Sequence, residues 1–267
     1  MPESTPYPTI VAIGGRIGGL ITRHIDLAFR RIMPGPGVEI EPRFVRLVTG
    51  EPHPFGNFAC MTDPADIGGT EAAIGPLLGC GAPSAVFFTG VVTGDVERRL
   101  GSAGFERHGG LPAMAVEIER LGGTELPAGY RFARVGSASD RDLWAQVFAR
   151  GYELPLRVGA AFAGGIDGDE RGAATVQYFW ILKDGQPVCT SLLYLGEGVA
   201  GIYGVATVPE ERGKGLGAFA TAEPLRRAHP LGYRVGVLQA SEDGHPVYRR
   251  IGFADFGEVP LYIRMPG

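Results

Sequence analysis

The segment that most constrains this 267-residue chain covers residues 203–228, where an apolar run meets a proline, then a glycine-rich loop, then an amphipathic helical pattern. Tyr203-Gly204-Val205-Ala206-Thr207-Val208 suits a buried strand, Pro209 ends it, and Arg212-Gly213-Lys214-Gly215-Leu216-Gly217 leads into the helix. A strand–loop–helix unit of this kind aims successive backbone N–H groups at one point, where the helix dipole also favours an anion. Glycine at 213, 215 and 217 lets the backbone approach a ligand without a Cβ in the way, while Arg212 and Lys214 add positive charge. The unit reads as a cradle for a pyrophosphate.

Glycine motifs carry weight here only through their context, because 43 residues are Gly and 21 are Pro. The loose pattern Arg/Gln-x-x-Gly-x-Gly/Ala recurs from Arg98 and from Arg249, but there it runs through a helix end at Gly104-Phe105 or Gly252-Phe253, an ordinary helix stop. The glycines follow no Gly-X-Y period and are mixed with 45% hydrophobic residues, which excludes a collagen and a disordered polar chain. Near the N-terminus, Gly14-Gly15-Arg16-Ile17-Gly18-Gly19 imitates a dinucleotide loop but lacks the G-x-G-x-x-G spacing. It reads as a lead into a helix over residues 20–32.

A net charge of −4 gives no basic footprint for nucleic acid or a membrane surface. Cys60, Cys80 and Cys189 are odd in number and widely spaced, which argues against a disulfide framework or a zinc site. No apolar run reaches membrane-spanning length, and Met1-Pro2-Glu3-Ser4 lacks the basic start of a signal peptide. A soluble, cytoplasmic protein is expected, as a monomer or homodimer, and the scattered His24, His108 and His229 suggest no metal site.

Strand-like runs are expected at 43–47, 85–89, 113–118, 130–135, 175–182, 187–194, 199–208, 233–240 and 259–264. Helical ones are expected at 65–78, 96–103, 139–150, 215–229 and 246–251. The class is α/β or α+β around a mixed sheet, with a linker at Gly122-Gly123-Thr124-Glu125-Leu126-Pro127. Leu100 to Phe105 aligns with Tyr248 to Phe253 as a helix running into Gly-Phe, and Arg43-Phe44-Val45-Arg46 echoes Arg131-Phe132-Ala133-Arg134. Two related halves are expected.

From about residue 198 to 253 the chain resembles the acetyl-CoA-binding core of the GNAT acetyltransferase superfamily. The resemblance rests on Val208 to Ala218, on Tyr248 followed by Gly252-Phe253 about thirty residues later, and on the apolar strand between them. It implies two GNAT-like domains, each a mixed twisted β-sheet flanked by helices: a degenerate one at residues 1–123 and an acetyl-CoA-binding one at residues 127–267. Backbone groups of Ala206, Thr207 and Val208 would bond the pantetheine arm and thioester. Arg212, Gly213, Lys214, Gly215, Leu216, Gly217 and Ala218 would hold the pyrophosphate. Tyr248 would protonate the leaving thiolate, and Ser241 stands where the family often has Asn.

The implied reaction is direct attack of an amine acceptor on acetyl-CoA in a ternary complex, without a metal. An amine with a pKa near 10.4 must first lose a proton, and Glu197, Glu153 and His245 are the candidate bases. The first half lacks the glycine loop and has Leu100 in place of the tyrosine, so it is expected to wall the acceptor cleft, with His53-Pro54-Phe55-Gly56-Asn57-Phe58 lining it. An alternative is a CoA-binding regulatory or interaction protein that has lost turnover, because the strand before the loop carries no carboxylate.

Overall fold

The computed structural model describes residues 7–165 and 176–266. Met1, Pro2, Glu3, Ser4 and Thr175, which entered the expectations above, lie outside those residues. The helices are α1 Ile10–Ile13, α2 Ile17–Ile32, α3 Ile67–Gly79, α4 Gly94–Ser102, α5 Ala138–Tyr152, α6 Leu156–Phe162, α7 Leu216–Ala228 and α8 His245–Arg250. The strands of the first part are β1 Val38–Glu41, β2 Phe44–Val48, β3 Asn57–Met61, β4 Ser84–Phe88 and β5 Glu106–Glu117. Those of the second are β6 Tyr130–Arg134, β7 Val176–Lys183, β8 Gln186–Gly196, β9 Val199–Thr207, β10 Val235–Gln239 and β11 Ala254–Arg264.

These strands form one 11-stranded mixed sheet in the order β1-β2-β3-β4-β11-β5-β10-β9-β8-β7-β6. Two pairs are parallel, β3 with β4 and β9 with β10. The order interlocks the two parts of the chain, because β11 pairs antiparallel with both β4 and β5, and β5 pairs with β10. The core crosses the division too: Ile25, Phe29, Phe58 and Phe87 share one apolar cluster with Trp144, Tyr178, Leu192 and Tyr194. Alternation along β7 and β8 places Tyr178, Trp180 and Leu192 in that cluster and Phe179 and Leu193 in the one beneath α7 and α8.

Helix α2 begins three residues before the expected start and is reached through α1 and a 3-10 turn, so the glycine-rich N-terminus is helical rather than a loose lead. Ile17, Ile21, Ile25, Ala28 and Ile32 recur at helical spacing on its buried face. Gly18 lies where a Cβ would stand 2.4 Å from Phe256 O, so this glycine lets the helix lie against the sheet backbone. Strand β3 had no strand signal of its own. All five of its residues are buried between β2 and β4, so alternation is lost. Edge strand β1 and the short helix α6 also went unexpected.

The repeat holds at one of its two sites. Phe105 N donates to Leu100 O at 3.0 Å and Phe253 N donates to Tyr248 O at 3.1 Å, each after a left-handed glycine, Gly104 at φ 81° and Gly252 at φ 105°. Arg43 to Arg46 and Arg131 to Arg134 are not equivalent: the first run lies in and beside the interior strand β2, the second in β6 at the sheet edge.

Helix α2 is locked against β9 through His24, which is fully buried beside Tyr194 at 4.9 Å and shares a 2.8 Å hydrogen bond between its Nδ1 and Tyr203 Oη. Burial lowers its pKa to about 3, so the ring is neutral. A Cβ on Gly201 would come within 2.4 Å of its Cε1. We predict that Gly201→Ala destabilises the protein by about 1–3 kcal/mol, read as a lower urea midpoint at constant m-value; an unchanged midpoint would contradict this packing.

Candidate functional site

Strands β9 and β10 begin paired, Ala200 with Gly236 and Gly201 with Val237, and then part. Against β8 the register shifts: Thr190 pairs with Ala206 but Leu192 pairs with Tyr203, so β9 carries one extra residue there. Gly204 sits in that bulge at φ 58°, where a Cβ would lie 3.0 Å from the Trp144 ring. The bulge bends β9 away from β10 and leaves backbone donors and acceptors on the facing edge without a strand partner.

Cavities open on the two sides of the parting. One, of about 850 Å³, runs from residues 205–207 past the glycine loop to the start of α7 and the α8 region. The other, of about 650 Å³, lies between the two parts of the chain. Val205, Tyr152, Ser241 and Tyr248 border both, so the cavities meet where the strands separate.

Gly213 and Gly215 both have φ 78°, and an added Cβ at either would meet nothing within 4 Å. Glycine is therefore required by conformation and not by crowding. Gly215 caps α7 without any side-chain hydrogen bond, so the first-turn N–H groups face the larger cavity uncapped. This is what a phosphate-bearing ligand requires, and the residues present fit one.

Ala206, Thr207, Arg212 and Gly213 line the larger cavity, as do Gly215, Leu216, Gly217 and Ala218. Ser241 and Tyr248 stand across from them. Val208 does not line it: its side chain is buried beside Leu216 and Ala220, and its N–H donates to Val188 O at 3.0 Å. Lys214 also points away. Its Nζ donates to Glu211 Oε2 at 2.6 Å, while Lys183 Nζ donates to Oε1 at 2.8 Å and the Tyr130 hydroxyl donates to Oε2. Arg212 is tied back as well, donating to Gly151 O at 2.7 Å and lying 3.7 Å from Glu153.

Among the candidate bases, Glu197 lies outside the site. It is exposed at φ 52° in the β8–β9 turn, at the end of β9 remote from the parting, and lines neither cavity. Glu153 borders the larger cavity. His245 borders the smaller, and its Nε2 lies 2.8 Å from Asp255 Oδ1, a partner on β11 that local spacing did not reveal. Sequence reasoning also missed Tyr152 and Arg250, both at the larger cavity.

Tyr248 is buried, and that burial raises its hydroxyl pKa far above the ordinary value, so it remains protonated at neutral pH. The first part of the chain is built differently. Its parallel strands stay paired through four positions, from Phe58 with Ala85 to Met61 with Phe88. The following helix α3 is capped by Asp66, whose Oδ1 accepts from Gly69 N at 2.9 Å and whose Oδ2 accepts from Arg43 Nε at 2.5 Å.

Parted parallel strands, an uncapped glycine loop and a buried tyrosine thus surround the larger cavity. Residues 148–253 match the family model described as the Acetyltransferase (GNAT) family. No curated protein sequence matches the chain. Among solved structures, a GCN5-related N-acetyltransferase from Kribbella flavida superposes with a TM-score of 0.60 at 21% identity, covering 94% of this chain and 96% of that one. A GCN5-related N-acetyltransferase from Sphaerobacter thermophilus gives 0.57 at 12% identity, with 99% and 96% covered. A tandem GNAT protein from the clavulanic acid biosynthesis pathway gives 0.51 at 14%, with 94% and 95% covered. These likenesses establish the fold over nearly the whole chain. Among the described residues, no helix is long and apolar enough to cross a membrane and no cluster of His, Cys, Asp or Glu could hold a metal.

The Glu211 cluster braces the loop. Lys183, then Lys214 and the Tyr130 hydroxyl, hold its carboxyl down at about 2, against an ordinary 4.5. A depressed carboxyl contributes stability above pH 4.5 that fades as pH falls toward 2. We predict that Glu211→Gln lowers the melting temperature at pH 7 and that the gap to wild type narrows at pH 3. Thermal unfolding at both pH values is the measurement, and an equal gap would contradict the assignment.

Proposed function

We propose that the protein is an N-acetyltransferase that transfers the acetyl group of acetyl-CoA to a primary amine in a ternary complex. The observation that carries this reading is the parting of β9 and β10 between the uncapped N-terminus of α7 and the Tyr248 hydroxyl, with a cavity on either side. First-turn N–H groups of α7 and the backbone at Arg212, Gly213 and Gly215 would hold the pyrophosphate. The free edge of β9 at Ala206 and Thr207 would hold the pantetheine arm. When bound, acetyl-CoA supplies a thioester whose carbonyl carbon the amine attacks as the C–S bond breaks.

Tyr248 keeps its proton until the thiolate leaves and then delivers it. His245, oriented by Asp255, takes the proton that the amine sheds and passes it to solvent. Most of the acceleration comes from holding the two reactants together across the strand parting. In this scheme residues 127–267 hold acetyl-CoA and residues 1–123 shape the acceptor side, and a cytoplasmic setting belongs to the same proposal. A CoA-binding protein without turnover is the competing reading, favoured by the lack of a carboxylate on β9. The His245–Asp255 pair provides a proton acceptor despite that lack.

The test follows thiol release with acetyl-CoA and an amine panel, with calorimetric CoA binding alongside. Tyr248→Phe is expected to lower kcat about 100-fold with CoA affinity retained, and His245→Gln to lower kcat/KM by a similar factor. Gly215→Val, which forces a β-branched residue to φ 78°, is expected to weaken CoA binding at least ~10-fold. CoA binding without acceptor-dependent thiol would select the competing reading. No CoA binding would defeat both.

A further inference from the structure

The smaller cavity is walled by rings. Phe29, Phe55, Phe58, Phe87, Phe148 and Phe162 all border it, drawn from α2, β3, β4, α5, α6 and the turn before β3. They form a connected set: Phe55 to Phe87 at 5.8 Å, Phe87 to Phe58 at 5.5 Å, Phe58 to Phe29 at 5.2 Å, Phe29 to Phe162 at 6.0 Å and Phe162 to Phe148 at 5.1 Å. Polar side chains stand elsewhere on the wall, with Tyr203 and Gln239 at the strand parting and the exposed His108 and Glu242 at the mouth. Glu242 is the single carboxylate among the described lining residues.

We propose that the acceptor is a small monoamine whose carbon frame is an aromatic ring or an alkyl chain, seated among the six phenylalanines with its amino group at the strand parting. This inference rests on the acetyl-transfer reading. A volume of about 650 Å³ fits one small molecule, and the hydrophobic effect drives a ring or chain into it. A polyamine or aminoglycoside would bring several ammonium groups into a wall with one peripheral carboxylate, and charges buried without a partner are strongly disfavoured. A single amino group can be met by the free edge of β9 where it leaves β10. Removal from water also favours its neutral form, the form that attacks. The amine proton has a short route out, because His245 borders the same cavity and is partly exposed.

The test uses the full chain. 2-Phenylethylamine and hexylamine are compared with ethylamine, spermidine and a lysine-containing peptide, each with acetyl-CoA or hexanoyl-CoA. CoA and 2-phenylethylamine binding are also measured separately by calorimetry. Expected are measurable binding of 2-phenylethylamine and a kcat/KM for it about 10- to 100-fold above that for ethylamine and for spermidine. Phe55→Ala, at a half-buried position, is expected to raise KM for 2-phenylethylamine about 10-fold while CoA affinity holds; the milder Phe55→Leu guards against misfolding and should fall between.

Equal or better turnover of spermidine or the peptide overturns the proposal. So does a preference for hexanoyl-CoA that is indifferent to the ring of the amine, because the cavity would then hold the acyl chain. CoA binding with neither turnover nor binding of 2-phenylethylamine also overturns it and leaves the CoA site standing. Failure of CoA binding overturns the acetyl-transfer reading itself.

Discussion

Everything proposed for this protein depends on two parallel strands that must pair at one end and separate at the other. A bulge alone would be soft, because an extra residue in a strand has no ladder partner to fix it. Here it is backed by a wall. The Trp144 ring lies directly behind Gly204, and its Nε1 donates to Phe179 O at 3.0 Å and to Ser191 O at 3.3 Å, on the two strands beyond. Helix α5 comes equally close two turns further on, where a Cβ on Gly151 would stand 2.8 Å from the Ala206 Cβ. Packing on one side of β9 thus determines its course on the other, where the cavities meet.

The two parts of the chain treat the same local unit in opposite ways. In the first, Asp66 satisfies the start of α3 with its own carboxylate and Arg43 neutralises that carboxylate, so the helix dipole is already answered. In the second, α7 has no side-chain cap, a deficit of about 1 kcal/mol that a bound anion can offset. The loop before α7 is held from below by Glu211, which gathers both lysines of the chain and Tyr130. Lys214 therefore serves the scaffold, and in the proposed reading the cradle relies on backbone N–H groups for its attraction to phosphate.

What the sequence made legible was local. Gly213 and Gly215 were recognisable because their role is conformational and their neighbours, a strand and a helix, are adjacent in the chain. The Gly-Phe helix ends were legible for the same reason. Val208 and Lys214 were placed in the site by position in a motif, yet the Val208 N–H is taken by Val188 O on the neighbouring strand and the Lys214 side chain by Glu211 within the loop itself. Glu197 was near β9 in sequence but at its wrong end. Phe55 and Phe58 were read as cleft-lining, and both border the smaller cavity, whereas Asp255 and the other four phenylalanines gave no signal, since residues 29, 87, 148 and 162 come together only when both parts pack on one sheet.

That packing is reinforced by an exchange of strands. β11, last in the chain, lies between β4 and β5, and β5 covers the edge of β10. A chain cut at residue 127 would leave β11 without either neighbour and bare the edge of one of the two strands that form the parting. Asp255, which orients His245, sits on that same inserted strand, paired with Met114 of β5. The first part therefore contributes more than a wall of rings: through β5 it fixes the strand whose Asp255 holds His245, the proposed proton acceptor. The two parts border one cavity and share one sheet that neither completes alone.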